Sequence, residues 1–373
     1  MLKEYRCGVG SPPPHPACLW QSHNNQKKNA AWLDGHIPAL DGLRGLAAIV
    51  VVVFHVQNTP LPGGFIGVGI FFVLSGYLIT SLLLREYEGT GQISLLRFYL
   101  RRALRLMPAL WALLLITLLV VYVWDHSIFA REARDAGASL LYASNWTRAL
   151  RTQDMRYFTH TWSLAVEEQF YLLWPAVLYV CIRRGGTRLV LRTALIVAAC
   201  SWLWRIVLLI VGARWRRVYG LDTCLEFPMW GCALAAWLHG KNAIALPRRC
   251  AVAALAAIIF AAVMPQSGET GFFYYFAYTA VTWLAAALIL DAVHNPHSCV
   301  RRILCWPPLM QLGVVSYSVY LWHFVCCIFL ERMQASGLAA QMGTIAWGTL
   351  LALLSFALIE RPFLRLKARF SAG

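Results

Sequence analysis

Apolar residues run along this chain in stretches too long for most soluble folds, separated by short polar segments rich in arginine. The hydrocarbon core of a bilayer takes roughly 17–25 apolar residues per helix. Runs of that kind lie near 40–57, 65–84, 107–124, 161–182, 191–211, 224–239, 251–265, 272–292, 312–331 and 339–359, the sixth and seventh being short. The pattern predicts an all-α, polytopic transmembrane bundle of about ten helices. Two intervening stretches, 85–106 and 125–160, are long enough to be loops. Residues 1–36, with SPPPHPA and QSHNNQKKN, read as a polar, Pro-rich tail without the apolar core of a signal peptide. The membrane domain is expected over 37–364, with a short basic tail at 365–373.

Composition supports this reading. Hydrophobic residues make up 59% of the 373 and charged ones only 13%, against about a quarter in soluble domains. The 33 Lys+Arg outnumber the 17 Asp+Glu, a balance that in a soluble chain would point to nucleic acid. Set between apolar runs, the excess instead fits basic loops at an anionic membrane face, so no nucleic-acid partner is expected. The eleven cysteines show no CxxC or zinc-type spacing and read as small buried side chains, so no metal site is predicted.

Lysine and arginine counts set the orientation. With the N-terminus inside, the inner segments hold 22 of them and the outer segments 9, while Arg44 and Arg205 fall within spans. Both termini are therefore expected on the cytoplasmic side, together with Arg97, Arg101, Arg102 and Arg105.

Ionisable side chains inside a bilayer cost at least about 2.5–3.5 kcal/mol each, so their positions carry information. The first span reads LDGLRGLAAIVVVVFHV. Its Arg44 and His55 are about three turns apart and share a face, roughly 16 Å apart along the axis. The fourth span enters from outside as HTWSLAVEEQFYLLWP, which puts Glu167 and Glu168 about 8–9 Å below Trp162, near the expected depth of His55. Ser75 in GIFFVLSGYLIT and His323 in SYSVYLWHFV fall nearer the midplane. A polar column is expected: Arg44 low, Ser75 and His323 central, and His55 with Glu167 or Glu168 high. Blander readings stand beside this one. Arg44 could snorkel to the interface, and Ser75–Gly76 could serve close helix packing. The Arg101–Arg105 cluster could be topogenic, and a glutamate could simply form a buried pair with Arg205.

Six segments in order, LDGLRGLAAIVVVVFHV, GFIGVGIFFVLSGYLIT, FYLRRALRLMPAL, HTWSLAVEEQFYLLWP, SYSVYLWHF and IERPF, resemble the acyltransferase 3 family of membrane O-acyltransferases, from about Ile37 to Phe363. The resemblance implies about ten helices and transfer of an acyl group, usually acetyl, to sugars of surface polysaccharides, to lipids or to macrolide-type metabolites. It marks Arg44 and His55 as the functional pair of the first helix and carries the motif glutamate to Glu167, with Glu168 beside it. The basic loop before the third span corresponds to Arg101, Arg102, Arg105 and Pro108.

The chain departs from the family pattern in three places. Cys224 in LDTCLEF stands where many relatives have an arginine, so any role of that arginine is missing or supplied by Arg214, Arg216 or Arg217. Residues 1–36 form an extension or a misplaced start. The soluble esterase-like domain that many relatives carry is not expected within the few residues after Leu364, so the membrane domain would act alone or with a partner.

These readings combine into one expectation: an acyltransferase of the bacterial cytoplasmic membrane. It would use acetyl-CoA or another acyl-CoA as co-substrate, need no resident cofactor, and act on a carbohydrate, glycolipid or macrolide-type hydroxyl. The arginine loop would bind the donor phosphates. His55 would be the general base, oriented by Glu167 as the third member of a triad would orient it, with Arg44 steadying the donor or its thiolate; a covalent acyl-histidine relay stands beside direct transfer as the other route. Ser75, His323 and Arg205 are further pathway candidates. A proton-coupled transporter or flippase is the rival, since intramembrane Arg, His and Glu also serve proton transport; corresponding broken helices in two halves, its usual sign, are not seen. The orientation is open to a direct check. Reporter fusions or cysteine labelling at Thr90, Arg148 and Arg188 should read inside, outside and inside, and an outside reading at Thr90 would reverse the topology and move the arginine cluster away from a cytoplasmic donor.

Overall fold

The computed structural model describes residues 37–153, 155–240, 246–264 and 272–369, which form helices joined by turns, with no strand among them. The tails expected at 1–36 and beyond Arg369 lie outside the described residues. The principal helices are α1 (Pro38–His55), α2 (Ile66–Thr90), α3 (Leu95–Trp124), α4 (Phe129–Leu140), α5 (Ser144–Ala149), α6 (Thr161–Ile210), α7 (Arg214–Tyr219), α8 (Glu226–Leu238), α9 (Arg248–Val263), α10 (Phe272–His294), α11 (Pro307–Val314), α12 (Ser316–Arg332), α13 (Gly337–Ser355) and α14 (Arg361–Arg369).

Helix α6 holds two predicted spans in one run of 50 residues, about 75 Å at 1.5 Å per residue and far beyond one bilayer crossing. It breaks at Gly185 and Gly186 in the sequence RRGG, where Gly186 takes φ 62°, a left-handed conformation open to glycine at little cost. Among the described residues, five helices are long and apolar enough to cross a membrane, or six if α11 and α12, bent by 74° between them, are taken as one span. The chain is a multi-pass membrane protein. Helix occupies most of the described part of each of the ten predicted stretches, but α8 with 13 residues and α9 with 16 are shorter than a full crossing.

Both expected loops turn out to be largely helical. Helix α2 runs to Thr90 and closes on Gly91, whose N–H bonds Tyr87 O, and α3 starts at Leu95. The arginines of 97–105 therefore sit on the first turns of α3. Their charge lowers the local apolarity of the sequence without interrupting its helix-forming residues, and no glycine or proline intervenes until Pro108. The stretch 125–160 likewise contains α4 and α5. At the other end of the chain a π-helical turn, Phe356–Glu360, leads straight into α14, so residues 365–369 continue a helix.

Helix α2 is the centre of the bundle, with 78% of its apolar window buried. It packs on α6 and α8 through a core that includes Leu83, Leu84, Phe170, Trp174 and Cys232. Trp174 Nε1 donates to Thr80 Oγ1 at 2.8 Å, joining α6 to α2. The α2–α8 crossing depends on absent side chains: a Cβ at Gly76 would overlap the Pro228 carbonyl, and one at Gly231 the Val73 carbonyl. Small residues at such crossings let backbones meet and gain dispersion contact where lipid offers no hydrophobic drive.

Gly76→Val should therefore lower the melting temperature in detergent, at a cost of about 1–3 kcal/mol typical of overpacking. Gly89→Val, on the same helix with nothing within 4 Å, is the control. Equal melting of the two variants would show that the crossing is not tight.

Candidate active site

A cavity of about 880 Å³ opens beside α2, α3 and α6, lined by six arginines, Arg44, Arg85, Arg97, Arg101, Arg102 and Arg105, together with Glu86, Ser75 and Tyr171. Its size suits a nucleotide-scale ligand. A smaller cavity of about 80 Å³ shares Arg44, Ser75, Arg102, Arg105 and Tyr171 with it and continues past Phe72 and Leu164 to Ser163, Tyr317 and Tyr320. The four arginines predicted to bind the donor thus line one cavity, and Arg44 joins them from α1.

Most of these guanidinium groups are held in place. Arg101 meets Glu86 at 3.7 Å and Arg44 meets Asp41 at 3.6 Å. Arg97 Nε donates to Ser94 Oγ at 3.2 Å. Arg102 is clamped from three sides: Nε to Glu168 Oε1 at 3.2 Å, an amino nitrogen 3.7 Å from Glu167 Oε1, and the guanidinium over the Tyr171 ring. Glu167 Oε1 also accepts from Ser75 Oγ and Tyr171 Oη. Arg105 has no carboxylate within ion-pair distance among the described residues and feels the like charges of Arg44 and Arg102, with Glu360 of the π-helical turn in Coulombic range. Glu360 in turn accepts from Ser318 Oγ.

A second polar centre lies on the other side of Tyr320. His55, the last residue of α1, places Nδ1 3.2 Å from His323 Nε2 of α12. His160, just before α6, is buried beside them, its ring 6.1 Å from that of His323 and 5.0 Å from that of Phe324. Tyr320 Oη donates to His160 O at 2.8 Å and lies 2.5 Å from Ser163 Oγ. Tyr320 and Ser163 therefore stand between the small cavity and the histidines.

The expected column is rearranged by this geometry. Glu167 was expected to orient His55, but its polar contacts are Ser75, Tyr171 and Arg102, and no hydrogen bond joins it to His55 among the described residues. His323, expected deeper than His55, is its hydrogen-bond partner. Depth along the helices was inferred from the sequence; rotation about their axes was not, and the glutamates turn toward α2 and α3 instead of α1. The two neighbouring glutamates, which point about 100° apart on a helix, are bridged by the single guanidinium of Arg102. His160 escaped notice because it precedes the apolar run. The available signal was its place in HTWSL, at the same end of α6 where His55 ends α1.

The chain is thus a helical membrane protein with an arginine-lined cavity joined to an inner chamber beside paired histidines. The acyltransferase domain family matches residues 37–359, and the chain belongs to this family, acyltransferase 3. It is 35% identical over 346 residues to the O-acetyltransferase OatA of Staphylococcus aureus (strain NCTC 8325 / PS 47), covering 88% of this chain and 57% of that one. It is 32% identical over 360 residues to the peptidoglycan O-acetyltransferase OatA of Listeria monocytogenes, covering 90% and 57%. Against the putative peptidoglycan O-acetyltransferase YrhL of Bacillus subtilis it is 34% identical over 354 residues, covering 88% and 55%. The chain spans a little over half the length of these relatives. No solved structure matches it.

Around Cys224, where the family resemblance led us to expect an arginine, Arg216 is engaged by Asp222 at 2.9 Å and lies over the Trp146 ring; the side chains of Arg214 and Arg217 lie outside the described residues. Arg205, read from sequence as a pathway residue or a partner of Glu167, instead pairs with buried Glu226 at 2.7 Å and donates to Thr279 Oγ1 at 2.6 Å, which itself donates to Glu226 Oε1. It lines neither cavity. This buried triad ties α6, α8 and α10 together. Removing one partner strands the other charge, at a typical cost of about 3–5 kcal/mol, whereas replacing both with apolar groups is often neutral. Glu226→Leu should accordingly melt well below the wild type, and Arg205→Leu/Glu226→Leu should recover much of the loss. A double variant as unstable as the single would show that packing, not charge, governs the site.

Proposed function

We propose that the chain is an O-acetyltransferase of the bacterial cytoplasmic membrane that moves an acetyl group from cytoplasmic acyl-CoA to a carbohydrate hydroxyl, with peptidoglycan the first acceptor to test. The observation that carries the reading is the continuity of the six-arginine cavity with a small chamber ending at Tyr320 beside the histidines. A crowd of guanidinium groups favours a polyanion, whose phosphates offer each arginine bidentate, charge-assisted contacts. Arg105, set beside the like charges of Arg44 and Arg102 and without an ion-pair partner among the described residues, gains most from such a ligand. The inner chamber is a tenth the size of the outer one and suits a short acyl group. The names of the relatives supply the acceptor class. About ten membrane crossings with both termini inside complete the topology of this reading.

In the reaction, His55 takes the proton of the acceptor hydroxyl as its oxygen attacks the thioester carbonyl. The tetrahedral intermediate then expels the CoA thiolate, to which His55 returns the proton, while Arg44 steadies the donor from the arginine cavity. Glu167 and Glu168 act earlier, holding Arg102 where the donor docks. Acyl-CoA is consumed as a substrate, and no resident cofactor is required.

Inverted vesicles given labelled acetyl-CoA and peptidoglycan fragments provide the test. Wild-type vesicles should pass label to the glycan. Replacing Arg101, Arg102 or Arg105 singly by Gln should raise the donor KM with little change in insertion, and His55→Ala should lower turnover by roughly 10²–10⁴-fold, the usual weight of a general base. Transport of a substrate with no label on any acceptor would instead establish the transporter alternative.

A further inference from the structure

The hydrogen-bond partners of the two histidines determine where their protons lie. His55 Nδ1 is 2.9 Å from Val51 O, and His323 Nδ1 is 3.0 Å from Val319 O, each the carbonyl one turn back in its own helix. A carbonyl oxygen only accepts, so in the neutral rings both Nδ1 atoms carry hydrogen. His323 Nε2 is then bare, and at 3.2 Å it accepts from His55 Nδ1–H, which it shares with Val51 O. The opposite tautomers would set a nitrogen lone pair against a carbonyl oxygen in both helices. His55 Nε2 is left as the one ring nitrogen of the pair whose lone pair meets no donor among the described residues.

Building on His55 as the base, we propose that His323 is its positioning residue: it fixes the His55 tautomer, aims Nε2 at the acceptor hydroxyl, and takes the Nδ1–H bond of the imidazolium that forms. A proton gained at His55 Nε2 leaves Nδ1–H donating to His323 as before, so the charge develops against an acceptor already in place. In a Ser-His-Asp triad a carboxylate fills this role. Here no carboxylate is hydrogen-bonded or ion-paired to either ring among the described residues, and the acceptor is a neutral imidazole. His323 cannot itself serve as the base, since Nε2 is occupied by His55 and Nδ1 is committed to Val319.

The setting holds this geometry. Phe54 and Phe324 meet the His55 ring edge-on, each with centroids 4.9 Å away. Behind His323, a Cβ on Gly348 of α13 would come within 3.0 Å of its Cα, so α12 and α13 are nearly in backbone contact at that residue. Helix α12 therefore has little room to move His323 away from His55.

Two measurements on the full chain test the proposal. In ¹⁵N-histidine-labelled protein in bilayers, His55 Nδ1 should be protonated and show a nitrogen–nitrogen coupling across the hydrogen bond to an unprotonated His323 Nε2. The pair of signals should vanish in His323→Phe. A proton on His323 Nε2, or no coupling, overturns the assignment whatever the enzyme does. In the vesicle assay, His323→Phe should lower kcat roughly 10- to 100-fold, a part of the general-base contribution, with the donor KM within about twofold. His323→Gln places an amide oxygen near the lost Nε2 and should restore kcat to within about fivefold of the wild type. Wild-type turnover in His323→Phe, or His323→Gln as slow as His323→Phe, rejects the positioning role. Wild-type vesicles that transfer no acetyl group overturn the function and with it any catalytic role for the pair, while the coupling still decides whether the pair exists.

Discussion

The site depends on how one half-buried guanidinium is held. Arg102 belongs to the first turns of α3, but its partners Glu167, Glu168 and Tyr171 all belong to α6, and Glu167 is tied by Ser75 to α2. Three separate helices are thereby joined at one cation. A charge taken from water in an apolar bundle demands such partners, because an unpaired one would cost several kcal/mol. The two carboxylates meet that demand, and in doing so they face α2 and α3. Their engagement with Arg102 is also why they cannot orient a histidine on α1.

The same economy of charge explains the character of the large cavity. Carboxylates stand near Arg44, Arg101 and Arg102, at Asp41, Glu86, Glu167 and Glu168. These pairings position the arginines without removing the net positive field, since six arginines line the space together with Glu86. A cavity built this way is preorganised: its cations are largely fixed before a ligand arrives, and a polyanion replaces like-charge repulsion with paired contacts. The aliphatic and aromatic walls between them, including Leu78, Ile79 and Phe98, suit the less polar arm that joins phosphates to a thioester.

Sequence disclosed the class of the fold and the residue types of the site, but not its pairings. Long apolar runs and the excess of basic over acidic residues were enough for a helical membrane bundle, and six ordered segments were enough for the family. Arg44, Arg97, Arg101, Arg102 and Arg105 converge on one cavity as their shared side of the membrane suggested. The helix ends were harder to see. Arg97 to Arg105 lowered the apolarity of a stretch that α3 in fact includes, so a loop was read where helix continues. Partners were hardest, because a helix surrounded by other helices is apolar all round and has no polar face to reveal its rotation. Glu167 and His55 could be placed at similar depth by counting residues, yet choosing Arg102 and His323 as their partners required knowing which way each helix turns. Arg205 shows the same limit: its partner Glu226 sits at the start of a short helix whose own depth the sequence left open.

Two polar centres in one bundle impose an order on the chemistry. The arginines and Glu167 occupy one end of the connected cavities; the histidines lie beyond Tyr320, whose hydroxyl is committed to Ser163 and to the backbone of His160. If the donor binds as proposed, its arm extends past Ser75 toward Tyr320. On the proposed reading, donor recognition and proton removal are then separated in space, and each side can be built without compromising the other. A general base must be neutral before it acts and positive afterwards, and the nearby cavity carries the field of six arginines. The developing imidazolium, however, would be penalised by that same field if it lay too close. Distance from the arginines and an acceptor at Nδ1 resolve the conflict, and the position of His323 supplies the second of these.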